Sequence, residues 1–380
     1  MVTMDPAALP FDTDAMVRGL IPWVTCESPT FDAAAVARMM DLAAIDLAEL
    51  GASIEIIPGR MGLGPSVRAR LPHPKAGTPG ILISGHMDTV HPIGTLALNP
   101  CRVEGSRLYG PGVLDMKAGN YLALEAARQL ARAGIPTPLP VTFLFTPDEE
   151  IGTPATRTLI EAEARASRYV LVPEPARADG CLTTGRYAIA RFSLHLTGAR
   201  GHAGFAEKSS LSAVRVLAHT ILEVEAMSGP DCTFSVNDIR SGSWVNCVPD
   251  QASAQVLSMA KTQSDLDAGV ARVAALAGER EGVRLEVRPG VVRPVWQDGL
   301  PGTMALFDQA RKLAAGLGET LASGSMGGGS DANFTGAMGI PSLCSLGAAG
   351  DGYHTTEEYI DIPSLARRGR LMAGLMATLD

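Results

Sequence analysis

The chain has 380 residues, 46% of them apolar, and its 40 acidic and 32 basic side chains give a net charge of −8. This length and apolar content predict two domains with a large buried core. No basic cluster suggests a nucleic-acid partner, and no apolar run is long enough to predict a membrane-spanning helix.

Helices and strands alternate over the first half of the sequence. An alanine- and leucine-rich segment at 33–50 predicts a helix that ends at Gly51, a residue suited to the left-handed conformation of a helix C-terminus. A second helix is predicted at 120–133. Apolar runs predict strands at 53–57, 81–84, 141–145 and 169–172. Nearly continuous apolar strands between helices indicate an α/β domain whose mixed sheet is covered by helices on both faces.

The pattern changes near Arg186. We predict a strand at 187–197, a helix at 209–225, strand-like segments near 233–239, 243–248 and 253–259, a helix at 264–277 and a strand at 284–288. The order β-α-β-β-α-β with short connections describes an α+β domain of one sheet and two helices. We therefore expect residues 186–293 to be inserted into a larger domain made of residues 1–185 and 294–380.

The larger domain resumes after the insertion. Its predicted elements are a helix at 303–315, a glycine loop at 327–329, a short strand at 342–346 and a closing helix at 363–379. The six cysteines are scattered without Cys-x-x-Cys spacing, which is typical of free thiols in a reducing compartment. No secretory signal is visible near the start, so we predict a cytoplasmic protein.

The segment His86-Met87-Asp88 follows a buried strand. Residues two apart on an extended backbone point to the same side, so the Asp88 carboxylate can accept a hydrogen bond from the His86 ring. Such a bond fixes the tautomer of a metal-binding histidine. A His-x-Asp pair can equally be a structural feature. Its position favours a site, because ligands of open α/β sheets bind beyond the carboxyl ends of the strands.

Five later residues complete a possible ligand set, and the four carboxylates among them also have a purely structural interpretation. Asp115 stands just before a helix, where an aspartate can be an N-cap or can bridge two metals. Glu149 and Glu150 form either a solvated acidic loop or a base beside a ligand. Glu174 lies between two prolines, as a turn residue or a ligand. His354 lies in a glycine-rich stretch. Imidazole and carboxylate together are typical of a divalent metal site, and their number favours two metals.

Taken in order, seven motifs resemble the di-zinc metallopeptidases of the glutamate carboxypeptidase type, relatives of aminoacylases, acetylornithine deacetylase and succinyl-diaminopimelate desuccinylase. The motifs cover nearly the whole chain. They are 84–90 (SGHMDTV), 110–119 (GPGVLDMKAG), 146–152 (TPDEEIG), 174–175 (EP), 198–204 (GARGHAG), 327–331 (GGGSD) and 353–354 (YH). The carboxypeptidase branch is the most similar because it also has glutamate at the position of Glu174.

The resemblance implies a role for each candidate residue. One zinc would be held by His86, Asp115 and Glu174, and the other by Asp115, Glu150 and His354. Cobalt or manganese could replace zinc. Asp88 would orient His86, Glu149 would be the general base, and the peptide bond after Asp115 would be cis. The inserted domain would form a homodimer in which His202 reaches the partner's active site. Implied substrate contacts are Asn246, Arg293, Gly328 and Gly329.

One position departs from the family pattern. An arginine that grips the substrate carboxylate is usual where this chain has Met259, and an apolar methionine cannot form a bidentate carboxylate contact. Lys261 on the same strand face could supply a point charge, Arg293 could take over, or the substrate could lack this carboxylate. The substrate therefore stays open.

We expect a hydrolase that cleaves an amide or peptide bond of a small peptide or N-acyl amino acid through a metal-bridged hydroxide. His202 would stabilise the oxyanion, and Glu149 would transfer the proton. The alternatives are a dipeptidase or an N-acyl amino acid deacylase with the same metals, and a dimeric binding protein without turnover. A nucleotide-binding protein is the most distant alternative, since the glycine loop has no phosphate-loop spacing.

Overall fold

The computed structural model describes residues 5–208 and 211–380. Its α-helices are α1 Thr13–Thr25, α2 Ala33–Ala48, α3 Ala118–Arg132, α4 Arg157–Arg165, α5 Ala213–Glu225, α6 Gln263–Ala274, α7 Pro301–Gly316, α8 Ala332–Ala337 and α9 Ile362–Thr378. None of the helices in this part of the chain has the length and hydropathy needed to cross a membrane.

The strands fall into several sheets. They are β1 Ser53–Ile57, β2 Ser66–Arg70, β3 Gly80–His86, β4 Arg102–Glu104, β5 Arg107–Tyr109, β6 Val141–Thr146, β7 Ser167–Leu171, β8 Leu182–Arg186, β9 Ala188–Thr197, β10 Gly201–His202, β11 Cys232–Ser241, β12 Cys247–Val248, β13 Gln251–Ala260, β14 Gly278–Arg280, β15 Val283–Arg293, β16 Ser323–Met326, β17 Ser342–Leu343, β18 Gly350–Asp351 and β19 Tyr359–Asp361.

The chain divides into two compact units. The first comprises the residues up to Gly185 together with Gln297–Ser325 and Ser330–Asp380, and the second comprises Arg186–Trp296 with Met326–Gly329. The predicted fold class, an α/β unit with a second α+β unit, is confirmed.

The first unit is built on a six-stranded mixed sheet in the order β1-β2-β6-β3-β7-β17. Strands β6, β3, β7 and β17 are parallel, while β1 and β2 are antiparallel to their neighbours. Every residue of β3 is buried, as expected for a strand covered on both faces. A smaller antiparallel sheet, in the order β18-β19-β5-β4, carries the segment that leads to His354.

The second unit is an antiparallel sheet in the order β11-β13-β9-β15-β14. Buried residues alternate with less buried ones along β9 and β13, and helices α5 and α6 pack against these strands. One face of the sheet therefore forms the core with the helices, as the sequence predicted. The predicted start of α5 at residue 209 lies outside the described residues.

The strand predicted at 243–248 is wrong for most of its length. Only Cys247 and Val248 pair with another strand, and Gly242 has a φ of +71°, which interrupts extended structure. Trp244 and Val245 are exposed, so no neighbouring element buries the apolar side chains that suggested a strand. The predicted strand at 342–346 also ends early, at Leu343.

Candidate metal centre

His86 is the last residue of β3, so the buried strand delivers its side chain to the carboxyl edge of the sheet. Its Nδ1 lies 3.0 Å from the Asp88 carbonyl oxygen and 3.4 Å from the Asp88 carboxylate. Asp88 therefore engages Nδ1, and Nε2, which faces Asp115, is the atom that could bind a metal after losing its proton. Asn120 donates to the His86 carbonyl oxygen at 2.7 Å and fixes the end of the strand.

Asp88 is fully buried and contacts three segments. Its carboxylate accepts a hydrogen bond from Thr30 Oγ1 at 2.7 Å and from the backbone N–H groups of Glu149 and Glu150 at 3.2 and 3.3 Å. The same side chain therefore contacts the His86 ring and holds the loop that carries the two adjacent glutamates.

Asp115 lies between two histidines. Its Oδ1 is 3.2 Å from His86 Nε2, and its Oδ2 is 3.1 Å from His354 Nε2. Burial opposes ionisation, but the hydrogen bonds from His354 and His86 hold the pKa of this carboxyl well below its usual range. The Asp115–Met116 peptide bond is cis. Each oxygen of one carboxylate thus faces a different imidazole nitrogen, which is the arrangement of a bridging ligand.

Glu150 completes the cluster. Its Oε2 lies 3.2 Å from His354 Nε2, and the donor atoms of His86, Asp115 and Glu150 all lie within 4.8 Å of one another. Burial, with the nearby Asp115 carboxylate, raises the pKa of Glu150 to about 7. Hydrogen bonds to Asp115 and Glu150 raise the pKa of His354 to about 10. Carboxylates and imidazoles crowded in this way share protons when no cation lies among them.

The other two candidates on the first unit are buried. Glu149 is 7% exposed and Glu174 is 6% exposed. The Glu174 carbonyl oxygen accepts from Gly347 N at 2.8 Å, which joins this segment to the chain before β18. Among the described residues, neither glutamate belongs to the group whose donor atoms lie within 4.8 Å. Their catalytic and ligand roles stay predictions.

The remaining candidates lie in the second unit. His202 is exposed, and its Nδ1 accepts from Gly204 N at 3.1 Å. Asn246 is exposed, and its carbonyl oxygen accepts from Ala203 N at 2.9 Å, which places the two segments side by side. Arg293 is buried.

The glycine segment lies against two arginines of the same unit. A Cβ atom on Gly329 would stand 2.0 Å from Arg293 Nη1, so a larger residue would displace the end of this side chain. Arg186 donates to the carbonyl oxygens of Gly328 and Gly329 at 3.3 and 3.2 Å. The predicted substrate contacts Arg293, Gly328 and Gly329 are thus neighbours within the second unit.

The surroundings of Met259 and Lys261 help to decide which residue could bind a substrate carboxylate. Met259 pairs with Ile189 on β9 and Thr233 on β11. Lys261 Nζ lies 3.3 Å from Asp231, and both side chains are substantially exposed. Lys261 therefore already has a carboxylate partner, although an exposed pair of this kind is weak.

Sequence reasoning missed the residue that holds Asp115 in place. Glu358 is fully buried, and its carboxylate accepts from the backbone N–H groups of Gly112, Leu114 and Asp115 at 2.8, 2.8 and 3.0 Å. It also lies 2.7 Å from His91 Nε2. The sequence around Glu358 is typical of a polar loop. The only local indication that Glu358 belongs to the site is its closeness to His354 in the sequence.

The donor set fits divalent metal ions of the zinc type. Each of three carboxylate oxygens lies within 3.2 Å of one of two imidazole nitrogens, and dications remove the repulsion between such carboxylates. His86, Asp115, Glu150 and His354 would hold them. Because the two oxygens of Asp115 face different histidines, the arrangement is consistent with a pair of ions.

Comparisons with known proteins give matches over most of the chain. The profile of the family described as peptidase family M20/M25/M40 matches residues 82–378. Carboxypeptidase G2 from Pseudomonas sp. (strain RS-16) is 30% identical over 378 residues, covering 96% of this chain and 89% of that protein. A tripeptidase structure from Staphylococcus aureus has a TM-score of 0.76 at 18% identity, covering 96% of this chain and 98% of that one. An M20 family metallo-carboxypeptidase from Sulfolobus solfataricus has a TM-score of 0.74 at 15% identity, covering 95% and 98%. The two structures support the fold alone.

Proposed function

The chain belongs to peptidase family M20/M25/M40, and from that membership we propose the residues, metals and substrate class with which it works. It is a metal-dependent hydrolase of the carboxypeptidase type, which cleaves an amide or peptide bond of a small peptide or N-acyl amino acid. What remains to be assigned is the role of each residue.

We propose two divalent ions, zinc in the first place, with cobalt or manganese as alternatives. One would be held by His86, Asp115 and Glu174, and the other by Asp115, Glu150 and His354. The observation that carries this assignment is the Asp115 carboxylate, whose two oxygens lie 3.2 Å from His86 Nε2 and 3.1 Å from His354 Nε2. An aspartate that served only as a helix N-cap would direct an oxygen at backbone N–H groups instead.

When bound, the metals polarise the scissile carbonyl and lower the pKa of water. Glu149 takes the proton from the attacking water and returns it to the departing amine. Its buried position on the loop held by Asp88 keeps the carboxylate out of bulk solvent. With a metal bound, Asp88 would hold the His86 proton on Nδ1, so that Nε2 could serve as the ligand atom.

The second unit would be the dimerisation domain, inserted at residues 186–293 of a larger catalytic domain. In a homodimer, His202 of one subunit would stabilise the oxyanion in the partner's site. Substrate contacts would come from Asn246, Arg293, Gly328 and Gly329. Because Met259 is apolar and Lys261 already contacts Asp231, Arg293 is the better candidate to bind a substrate carboxylate.

Two related activities remain alternatives, a dipeptidase and an N-acyl amino acid deacylase. The similarity over 96% of the chain to a protein named carboxypeptidase G2 favours the carboxypeptidase type. A binding protein without turnover would have no need of a buried base beside the ligands. A cytoplasmic location is also proposed, and the six free cysteines agree with it.

The proposal is tested by measuring the hydrolysis of a panel of substrates by the zinc-loaded protein. The panel comprises N-acyl glutamates, dipeptides and acetylated amino acids. The proposal expects the highest kcat/KM for a substrate with a free C-terminal carboxylate, and about two metal ions per chain by elemental analysis. Turnover after complete metal removal, or one metal per chain at full activity, would contradict it.

A further inference from the structure

A cavity of about 310 Å³ in the first unit is lined by none of the proposed metal ligands. Its walls come from the turn after β7, the segment before β16, the residue before β18 and the first turns of α9. The residues that matter for its chemistry are Arg177, Glu319, Ala349, Ser364, Arg367 and Arg368.

Arg368 is the unusual residue of this cavity. It lies one helical turn after Ser364 on α9, so both face the same way. The side chain is 8% exposed, and its Nη1 is buried without a hydrogen bond among the described residues. Burial lowers the pKa of this guanidinium, but an arginine stays protonated at neutral pH. A charged donor therefore points at no protein acceptor.

Glu319 offsets only part of the charge of Arg368, because its electrostatic attraction does not outweigh the effect of burial on the pKa of that guanidinium. Glu319 lies 4.0 Å from the exposed Arg367, and within residues 5–208 and 211–380 Arg368 forms no ion pair. Arg177 is already held by Asp179, with Nε–Oδ1 and Nη2–Oδ2 distances of 3.0 and 2.7 Å, and donates to Ser325 O at 3.1 Å. Arg368 therefore keeps a buried positive charge that is offset only in part.

Burying a guanidinium without a partner is unfavourable, and a methionine would fill the same space without that cost. The cavity volume lies at the small end of the range of ligand sites. We propose that this cavity binds a small free metabolite through its phosphate group, with Arg368 as the anchoring cation. A phosphate carries between one and two negative charges at neutral pH, and the guanidinium fork matches its oxygens. Three arginines of the lining stand against Glu319 and the Asp179 that holds Arg177, so one net positive charge remains, which favours an anion.

Calorimetric titration with inorganic phosphate tests the proposal on the full-length protein. We expect saturable binding with a dissociation constant near or below about 1 mM. In Arg368→Met the affinity should fall by about tenfold or more, because a charge-assisted hydrogen bond is lost. In Glu319→Gln it should rise, because a competing carboxylate is neutralised. Acetate should bind more weakly than phosphate.

Arg370→Met is the matched control, since it removes the same charge from the same helix. Arg370 lies against Phe11 and Leu9 instead of the cavity, so this variant should bind phosphate like the unchanged protein. Metal-loaded and chelator-treated samples must give the same result, because phosphate can also bind a metal. The proposal is overturned by no saturable binding, by equal loss in both arginine variants, by acetate binding as tightly as phosphate, or by binding that survives in Arg368→Met and disappears with the chelator.

Discussion

Replacing Glu358 by glutamine tests how Asp115, the proposed bridging residue, is positioned. The native carboxylate accepts four hydrogen bonds, from the N–H groups of Gly112, Leu114 and Asp115 and from His91. The amide introduced by Glu358→Gln would keep one acceptor oxygen and place an NH₂ group where the other oxygen stood. The less costly orientation puts this NH₂ group toward Gly112 N–H and His91, because His91 can change tautomer and accept.

Even in that orientation, the Gly112 N–H group has no acceptor. The remaining hydrogen bonds are also weaker, because their acceptor is a neutral amide oxygen and no longer a charged carboxylate. A hydrogen bond to a charged group contributes about 1.5–3 kcal/mol, so Glu358→Gln should lower the free energy of unfolding by about 2–4 kcal/mol. Zinc affinity should also fall by roughly 10- to 100-fold, the usual range for residues that hold metal ligands in place.

Urea denaturation of chelator-treated protein measures the first effect, and a zinc titration measures the second. Glu357→Gln is the control, because it makes the same chemical change at an exposed neighbour and should alter stability by less than about 0.5 kcal/mol. If Glu358→Gln matched Glu357→Gln in both assays, the role assigned to Glu358 would be wrong.

Three further predictions concern the base, the helix packing and the second unit. Glu149→Gln should keep both metals and lose about 10²–10⁴ in kcat, and near-normal turnover with full metal content would exclude it as the base. Gly119→Ala should destabilise the protein by about 1–3 kcal/mol in thermal unfolding, because its Cβ would stand 1.8 Å from Pro173 O. The control Gly316→Ala, with no atom within 4 Å of its Cβ, should be neutral or stabilise by up to about 1 kcal/mol, and equal effects would refute the packing argument. An inactive His202→Ala protein should regain activity when mixed with inactive Asp115→Asn under subunit exchange, and no recovery would argue against a site completed by the partner subunit.

The strands that lead to His86 and Glu149 could be predicted because most of their residues are apolar. β3 and β6 were predicted to within two residues at each end, and parallel strands bring their carboxyl ends to one edge of the sheet. The motif order then indicated Asp115 and His354, although 239 residues separate them.

Features that depend on tertiary contact had no such signal. Glu358 and His91 are 267 residues apart, and neither lies in a segment with helical or strand periodicity that would mark it as buried. The sequence does not indicate that the Gly119 backbone packs against Pro173 O, because this contact joins two distant segments. Arg368 belongs to an amphipathic helix, where a charged residue normally predicts a solvent-facing position.

Two buried carboxylates that are not proposed as metal ligands hold the two loops that carry the ligands. Asp88 accepts hydrogen bonds from the backbone N–H groups of Glu149 and Glu150. Glu358 accepts hydrogen bonds from backbone N–H groups of the segment that ends at Asp115. The contacts are made to the backbone, so they hold the chain at Asp115 and Glu150 through groups other than the proposed metals. A preorganised loop loses less conformational entropy on binding than a mobile one, which strengthens metal affinity. The same arrangement concentrates negative charge in a buried region, and positive charge from bound dications is what makes that concentration stable.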